Sequence, residues 1–248
     1  MLLNATTAIS TSKVLLVPYS KWHVPRYHEW MKDEEIQEAT ASEPLTLEEE
    51  YAMQRSWRDD ADKLTFIVCL PLQREDDVTD KLANEADSPA RMIGDINLFL
   101  RIDDGEEGTS APQIIGEIEL MIAEKKDQRR GFGKAALLAF LRYVVKRERE
   151  ILGEFVGRDE GARRAFGASS GDGEEKDDEV KFEALSVKIG QKNERSLALF
   201  EGVGFRKVGE EPNYFGEWEL RRTGLDLREV GREPGADEYR EAVYGRIE

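Results

Sequence analysis

Apolar positions recur along the chain with two different periods, and these periods predict alternating strands and helices. Short runs rich in β-branched residues predict strands, whereas apolar residues three or four positions apart predict helices. The predicted strands are residues 13–19, 64–70, 92–100, 114–123, 180–189, 204–208 and 214–221. Helices are predicted to begin near Trp22, Thr46, Gly131 and Asn193. This order indicates an α/β or α+β fold, a mixed sheet with helices on both faces.

Three polar segments interrupt this pattern. Residues 73–90 are predicted to form a long loop between two strands. Residues 153–179 consist largely of Gly, Ser and charged residues, which predicts a disordered insertion. The tail, residues 222–248, is polar and expected to be peripheral. Residues 13–221 are therefore expected to form a single domain.

Composition and charge exclude several classes of protein. The 248 residues include 36 Lys and Arg against 52 Asp and Glu, a formal net charge of −16. Neutralising nucleic-acid phosphates needs clustered excess cations, so no nucleic-acid partner is expected. With one cysteine, Cys69, and two histidines, neither an intrachain disulfide nor a metal site is expected. Without an apolar run long enough to cross a membrane, or the pattern of a signal peptide, the expected location is the cytoplasm, with the nucleus as an alternative.

Two acidic residues stand in the predicted strand at 114–123. Glu117 and Glu119 are two positions apart, so their side chains point to the same face, about 7 Å from each other. An exposed sheet face would explain both residues. Alternatively, one carboxylate lies at the floor of a cleft, where it accepts a proton from an amine.

A glycine-containing loop, Gln128-Arg-Arg-Gly-Phe-Gly-Lys134, lies between that strand and the next helix. Glycines at a helix start allow backbone N–H groups to approach an anion, and the helix N-terminus adds a partial positive charge. The loop therefore predicts a phosphate site, although a tight turn beside a basic patch is the simpler structural explanation.

Two other phosphate-binding motifs fit the loop less well. A P-loop needs Gly at position 128 and Ser or Thr after Lys134, where the chain has Gln128 and Ala135. A dinucleotide-binding fingerprint is formally matched by Gly131, Gly133 and Ala136. It requires a strand that runs directly into the first glycine, however, and here a polar stretch intervenes.

The pattern Gln/Arg-x-x-Gly-x-Gly/Ala after a central strand resembles the pyrophosphate loop of the GNAT acetyltransferase superfamily. Residues 180–205 also resemble that superfamily's next strand and helix, which end in Leu-Phe-Glu-x-x-Gly-Phe. Several further blocks resemble the N-acetyltransferase 9-like family: RYHEWM at 26–31, TASEPLTLEEEYAMQRSW at 40–57, FIV at 66–68, GDINLFL at 94–100 and GEIELMIAE at 116–124. Together these blocks extend from about Lys13 to Val208.

This resemblance implies the GNAT acyl-CoA N-acyltransferase fold. In that fold a largely antiparallel mixed sheet, flanked by helices, has a splayed central strand, and acetyl-CoA occupies the gap. By resemblance, the pantetheine would contact the backbone after a bulge and the start of the following helix, and the loop would hold the pyrophosphate. The implied acetyl-CoA residues are Met121, Ile122, Ala123, Gln128, Arg129, Arg130, Gly131, Phe132, Gly133, Lys134, Asn193 and Ser196. For Asn193, a simple helix cap is an equal alternative.

The resemblance also implies direct attack of an amine, of a peptide or protein, on the acetyl thioester. Glu117 occupies the position of the carboxylate base in histone-type members, with Glu119 as its substitute or as an amine-positioning group. Phe200 stands where many members have the tyrosine that protonates the leaving thiolate, and a phenyl ring cannot donate a proton. This departure supports an alternative, a catalytically weak binding protein that retains acetyl-CoA affinity. A third hypothesis, a nucleotide-dependent oxidoreductase, depends only on the fingerprint match.

Overall fold

The computed structural model of the chain describes residues 1–72, 82, 85–103, 111–166, 180–224, 226 and 238–246. The strands in these ranges are β1 (Thr7–Ser10), β2 (Leu15–Pro18), β3 (Lys63–Cys69), β4 (Met92–Asp103), β5 (Gln113–Ile122), β6 (Phe182–Gly190), β7 (Arg206–Lys207), β8 (Glu217–Arg222) and β9 (Arg240–Val243). The helices are α1 (Val24–Trp30), α2 (Glu34–Thr40), α3 (Leu47–Asp59), α4 (Phe132–Lys146), α5 (Glu148–Arg158), α6 (Glu160–Phe166) and α7 (Glu194–Gly202).

The strands form one sheet in the order β7-β8-β6-β5-β4-β3-β2-β1-β9. All neighbours pair antiparallel except β5 and β6, which are parallel. This confirms the mixed, largely antiparallel sheet that the sequence predicts. The parallel pair needs a long crossover, which α4, α5 and α6 supply.

Helices cover both faces of the sheet. On one face α4 buries a continuous apolar stripe, and Phe140 and Tyr143 meet Phe66 of β3 edge-on at 6.1 and 5.4 Å between ring centroids. On the other face Tyr27 and Trp30 of α1 pack against a second apolar cluster. Alternating side chains of β4 and β5 therefore contribute to two separate cores.

The central strands separate after a short common ladder. β5 and β6 pair from Ile114 and Phe182 as far as Glu117 and Ser186. Beyond that point residues 118–122 pair with β4 alone, and residues 187–190 pair with β8 alone. The splayed strand expected from the resemblance is therefore present, and the gap lies on the carboxyl side of both strands.

The prediction of disorder from residue 153 is wrong for residues 153–158, which lie in α5, and for residues 160–166, which form α6. Ile151, Leu152 and Phe155 are buried and anchor α5 on the core. The glycines that suggested a loop, Gly153 and Gly157, lie where an added Cβ would meet nothing within 4 Å. Both glycines lie on the solvent-exposed face of α5, so they destabilise the helix only through the low helix propensity of glycine. Residues 167–179, and 73–81 and 83–84 of the predicted loop, lie outside the described residues.

The prediction of a peripheral tail is wrong for residues 240–244. β9 pairs with β1 at the edge of the sheet, and Tyr244 is buried. The predicted first strand is β2, and β1 precedes it. β1 and the edge strand β9 are each four residues long and carry polar side chains, so neither shows a period that sequence reading detects. No helix in the described part of the chain is long and apolar enough to cross a membrane.

A buried carboxylate joins the tail to the start of the chain. Ser20 N–H donates to Nδ1 of His23, so the proton of a neutral His23 ring lies on Nε2, 3.0 Å from Oδ2 of Asp87. The Tyr244 hydroxyl donates to the same oxygen at 2.6 Å, and Arg246 donates to Oδ1 at 2.8 Å. Burial alone would raise the pKa of Asp87, but the hydrogen bonds from His23 and Tyr244 outweigh it and lower the pKa to about 2.

We expect Asp87→Ala to lower the free energy of unfolding by about 3 kcal/mol, because it leaves buried donors without an acceptor. Asp59→Ala, at an exposed carboxylate at the end of α3, should change it by less than about 0.5 kcal/mol. Urea denaturation at neutral pH measures both. The Asp87 contribution should be complete above about pH 5 and disappear as pH falls from about 4 to 2, because the folded pKa lies below the unfolded value. Equal losses in the two variants would contradict the account.

Candidate active site

A cleft of about 670 Å³ opens where β5 and β6 separate. Residues 117–121 of β5 form one wall and residues 187–190 of β6 form the other. Residues 38–42, at the end of α2 and after it, and Phe215 between β7 and β8 also line it. The cleft therefore combines sheet backbone, helix ends and loop side chains, as ligand sites in open sheets do.

Two peptide groups of β5, at Leu120 and Ile122, face this cleft. Ala123 N–H donates to the Ile93 carbonyl of β4 at 2.9 Å. Backbone groups alternate in direction along an antiparallel strand, so odd-numbered residues of β5 face β4 and even-numbered ones face away from it. With β6 diverging, the N–H groups of Leu120 and Ile122 are open to a ligand.

The register of β5 bears on the backbone contacts expected at the pantetheine. The β4–β5 ladder continues without a register shift to the pair Gly94 and Ile122. Just after that pair the Ile93 carbonyl accepts the N–H groups of both Ala123 and Glu124, at 2.9 and 3.3 Å, so the pairing becomes irregular at the end of β5. Of the three residues expected at the pantetheine, Ile122 directs its backbone to the cleft, whereas Met121 and Ala123 direct theirs to β4. The Met121 side chain still lines the cleft. Leu120 supplies a second backbone group that the sequence did not indicate.

Glu117 and Glu119 share one face, as predicted, but have different surroundings. Oε2 of Glu117 accepts a hydrogen bond from Nζ of Lys188 at 2.9 Å, which forms an ion pair. Within the described ranges no donor reaches the Glu119 carboxylate, which is exposed to the water in the cleft. Partial desolvation by the cleft walls, and then the charges of Asp95 and Glu117, raise the pKa of Glu119 to about 7. Such a carboxyl group can accept a proton at neutral pH.

Behind Glu119, β4 carries two buried polar side chains, Asp95 and Asn97, each 3% exposed. Asn97 is the direct cross-strand partner of Glu119. Nδ2 of Asn97 donates to Oδ2 of Asp95 at 2.9 Å, and the Tyr27 hydroxyl lies 3.4 Å from the same oxygen. Burial raises the pKa of Asp95 to about 6, although these hydrogen bonds act in the opposite direction. Both side chains line the cleft.

At the predicted phosphate loop, the first N–H groups of α4 have no backbone acceptor among the residues that the structure describes. The first helical bond runs from Ala135 N–H to the Gly131 carbonyl, so the N–H groups of Phe132, Gly133 and Lys134 precede the helical ladder. Gly131 has a φ of +83°, a backbone conformation that residues other than glycine rarely adopt. The turn therefore presents three N–H groups and the positive end of the helix dipole to the same region.

Cations surround this turn. Arg129 is exposed and has a left-handed φ of +60°. Arg130 forms an ion pair with Asp127 at 2.8 Å, which holds it at the loop. A Cβ on Gly131 would lie 3.2 Å from Nζ of Lys13, so Lys13, in the turn between β1 and β2, also reaches the loop. The geometry suits a phosphate or pyrophosphate anion.

The start of α7 closes the cleft on its β6 side. Asn193 and Ser196 both line the cleft. Oδ1 of Asn193 accepts the Ser196 N–H at 3.1 Å, so Asn193 caps the helix and lines the cleft at once. Phe200 is buried, packs edge-on against Phe205 at 5.2 Å, and provides no proton donor.

Sequence reading missed five residues at this site. They are Lys13, Asp95, Asn97, Leu120 and Lys188. A signal exists for two of them, because Asp95 and Asn97 stand two positions apart in an otherwise apolar strand and so share one face. Lys188 is 71 positions from its partner Glu117, and no local pattern connects them.

Comparison with known proteins agrees with the geometry. Residues 13–206 match the family model of the acetyltransferase (GNAT) domain. The chain is 39% identical to an N-acetyltransferase 9-like protein of Schizosaccharomyces pombe, an alignment covering 90% of this chain and 100% of the relative. It is 44% identical to the human alpha/beta-tubulin-N-acetyltransferase 9, covering 90% of this chain and 86% of the relative.

A likeness in fold extends to distant acetyltransferases. The crystal structure of spermidine N-acetyltransferase from Vibrio cholerae, with CoA and spermine, superposes with a TM-score of 0.52 at 15% identity. That alignment covers 85% of this chain and 94% of the other. The family match, the identity to its curated members and the shared sheet lead to one conclusion: the chain belongs to the GNAT acetyltransferases, within the N-acetyltransferase 9-like family, and is an N-acetyltransferase.

Proposed function

We propose that the protein transfers an acetyl group from acetyl-CoA to an amino group of a protein, with the α- and β-tubulin chains as its acceptors. The separation of β5 and β6 next to the phosphate loop carries this proposal. A Cβ on Gly133 would lie 3.7 Å from the Ile122 side chain and 3.9 Å from that of Leu120. The acceptor is proposed from the human relative, whose name specifies alpha/beta-tubulin.

Two parts of the structure fit acetyl-CoA: the loop at the start of α4 and the strand β5 at the gap. The N–H groups of Phe132, Gly133 and Lys134 would bind the pyrophosphate, assisted by the charges of Lys13 and Arg129. The open N–H groups of Leu120 and Ile122 would donate to the pantetheine. Acetyl-CoA supplies the activated acetyl thioester when bound, and the N–H of Leu120 or Ile122 lies where the cleft could stabilise negative charge on an acyl oxygen.

Glu119, rather than Glu117, is the base in this proposal. An amine enters mostly protonated at neutral pH and must lose a proton before it attacks. Lys188 already neutralises Glu117, whereas Glu119 is open to the cleft and has the pKa raised towards 7. With Phe200 in place of a tyrosine, the leaving thiolate would take its proton from water.

A peptide chain fits the open end of the cleft. Glu38, Glu119 and Glu217 give it a negative lining, which favours an ammonium group. Tyr214 and Phe215 are 97% and 81% exposed between β7 and β8, and they offer aromatic surface to a bound chain.

Purified tubulin and its amino-terminal peptides test the reaction directly. With acetyl-CoA we expect thiol release and a mass increase of one acetyl group on the peptide. Binding of acetyl-CoA without transfer to any tubulin or other peptide amine would instead support the weak binding protein considered above. Absence of acetyl-CoA binding would contradict the whole proposal.

Gly131→Ala should weaken acetyl-CoA binding roughly tenfold or more. A Cβ at a positive φ costs about 1–2 kcal/mol, and relief of that strain would turn the N–H groups of the loop away from the anion. Gly133→Ala is the matched control, since its Cβ would meet only side chains at 3.7–3.9 Å. Calorimetric titration of both variants measures the Kd, and an unchanged Kd for Gly131→Ala would contradict the assigned loop.

Glu119→Gln should lower kcat by roughly 100-fold or more, because it removes the proton acceptor. In the wild type, kcat/KM for the peptide should rise through about pH 7 as Glu119 ionises. The variant should keep only the rise near pH 8 that belongs to a peptide's own α-amine. Glu117→Gln should cost less than about tenfold, since it removes a partly exposed ion pair. The reverse ranking of the two variants would show that Glu117 is the base.

A further inference from the structure

We propose that Asn97, held in place by Asp95, binds the acceptor nitrogen beside Glu119. This inference rests on the proposed transfer to an amine and assigns a second acceptor-binding residue on a different strand. Asn97 would be a substrate-binding residue, and Asp95 a positioning residue that acts through it.

Of the two polar atoms of the Asn97 side-chain amide, the nitrogen is hydrogen-bonded and the oxygen is not. Its Nδ2 donates to Asp95 at 2.9 Å, which orients the amide group. Its Oδ1 is buried and has no hydrogen-bond partner in the part of the chain that the structure describes. Asn97 is among the residues that line the cleft. Leaving a buried acceptor unpaired is costly, so this oxygen is suited to a ligand that donates a hydrogen bond.

The position of Asn97 matches the needs of an attacking amine. As the direct cross-strand partner of Glu119, Asn97 presents its side chain on the same face of the sheet. The two side chains thus place an amide oxygen and a carboxylate next to each other. An ammonium group carries three N–H donors, so it can bind both acceptors at once.

The transfer then proceeds with balanced atoms. Glu119 takes one proton from the ammonium group, while Oδ1 of Asn97 accepts a second N–H and orients the nitrogen. The nitrogen lone pair forms the C–N bond to the acetyl carbon, and the C–S bond breaks with its electron pair on sulfur. The nitrogen releases its surplus proton to water, leaving a neutral amide, and the thiolate takes a proton from water.

Charged and titratable groups approach Asp95 from several elements. Glu119 lies on β5, Tyr27 on α1 and Glu50 on α3, and Tyr19 packs against Tyr27 with ring centroids 5.2 Å apart. On the far side of Glu119 are Glu117, Lys188 and Glu217. Among these neighbours Asp95 contributes most, after desolvation, to the raised pKa of Glu119. Changing Asp95 therefore has separable effects on orientation and on charge.

Four variants separate these effects. Asn97→Ala removes the acceptor oxygen, and Asp95→Ala releases the amide that carries it. Asp95→Asn keeps an oxygen that can accept from both Asn97 and Tyr27, but removes the charge. Thr65→Val is the matched control, because Thr65 is the buried cross-strand partner of Asn97 on β3 and lines no part of this cleft.

With an amino-terminal tubulin peptide as the acceptor, Asn97→Ala and Asp95→Ala should raise the peptide KM about tenfold. Asp95→Asn should keep the peptide KM within about threefold of the wild-type value. Because it removes the charge that raises the pKa of Glu119, the rise of kcat/KM near pH 7 should move to lower pH. The Kd for acetyl-CoA, from calorimetry, should stay unchanged in all four variants and show that each is folded. Thr65→Val should match the wild type.

Two results would overturn the inference while leaving the proposed function intact. One is a wild-type peptide KM in a folded Asn97→Ala variant. The other is a Thr65→Val variant with the defect of Asn97→Ala, which would show that the Thr65 hydroxyl already satisfies Oδ1. If the wild type transfers no acetyl group to any peptide amine, the proposed function fails instead, and the failure appears before any variant is compared.

Discussion

The site depends on one constraint, the end of the β5–β6 ladder at Glu117 and Ser186. Each strand keeps its outer neighbour, so the sheet remains intact on both sides of the gap. The inner backbone groups of β5 then have no strand to pair with. Buried peptide groups require partners, and a ligand with amides of its own is a suitable one. The cleft is therefore a consequence of sheet pairing rather than of loop shape.

The phosphate loop follows from the same geometry. β5 ends at Ile122 beside the gap, and α4 begins ten residues later at Phe132, directly after Gly131. Gln128 bridges the two, because its Nε2 donates to the Ile122 carbonyl at 2.8 Å. The helix dipole and the open strand are thereby aimed at adjacent parts of one elongated ligand. The Glu117 and Glu119 carboxylates lie on the face of the sheet opposite α4. The pyrophosphate and the acceptor amine would therefore bind in separate environments.

Sequence reading predicted the sheet, the loop at Gly131 and the shared face of Glu117 and Glu119, because each depends on local periodicity or on a helix start. Sequence reading failed where the residues in contact lie far apart along the chain. The ion pair that distinguishes Glu117 from Glu119 comes from Lys188. The edge strand β9 pairs with β1, which lies at the other end of the chain. The prediction of disorder at residues 153–166 failed for another reason. Gly153 and Gly157 lie on the solvent-exposed face of a helix, where they need not break it.

Amide hydrogen exchange of the full chain, with and without acetyl-CoA, tests our assignment of acetyl-CoA to the gap between β5 and β6. We expect acetyl-CoA to slow exchange at the N–H groups of Leu120 and Ile122 and of Phe132, Gly133 and Lys134. Exchange at Gly116, whose N–H faces β6 within the shared ladder, should not change. Slowed exchange confined to another place, such as the 260 Å³ cavity between α4 and β6 at Val144, would contradict it.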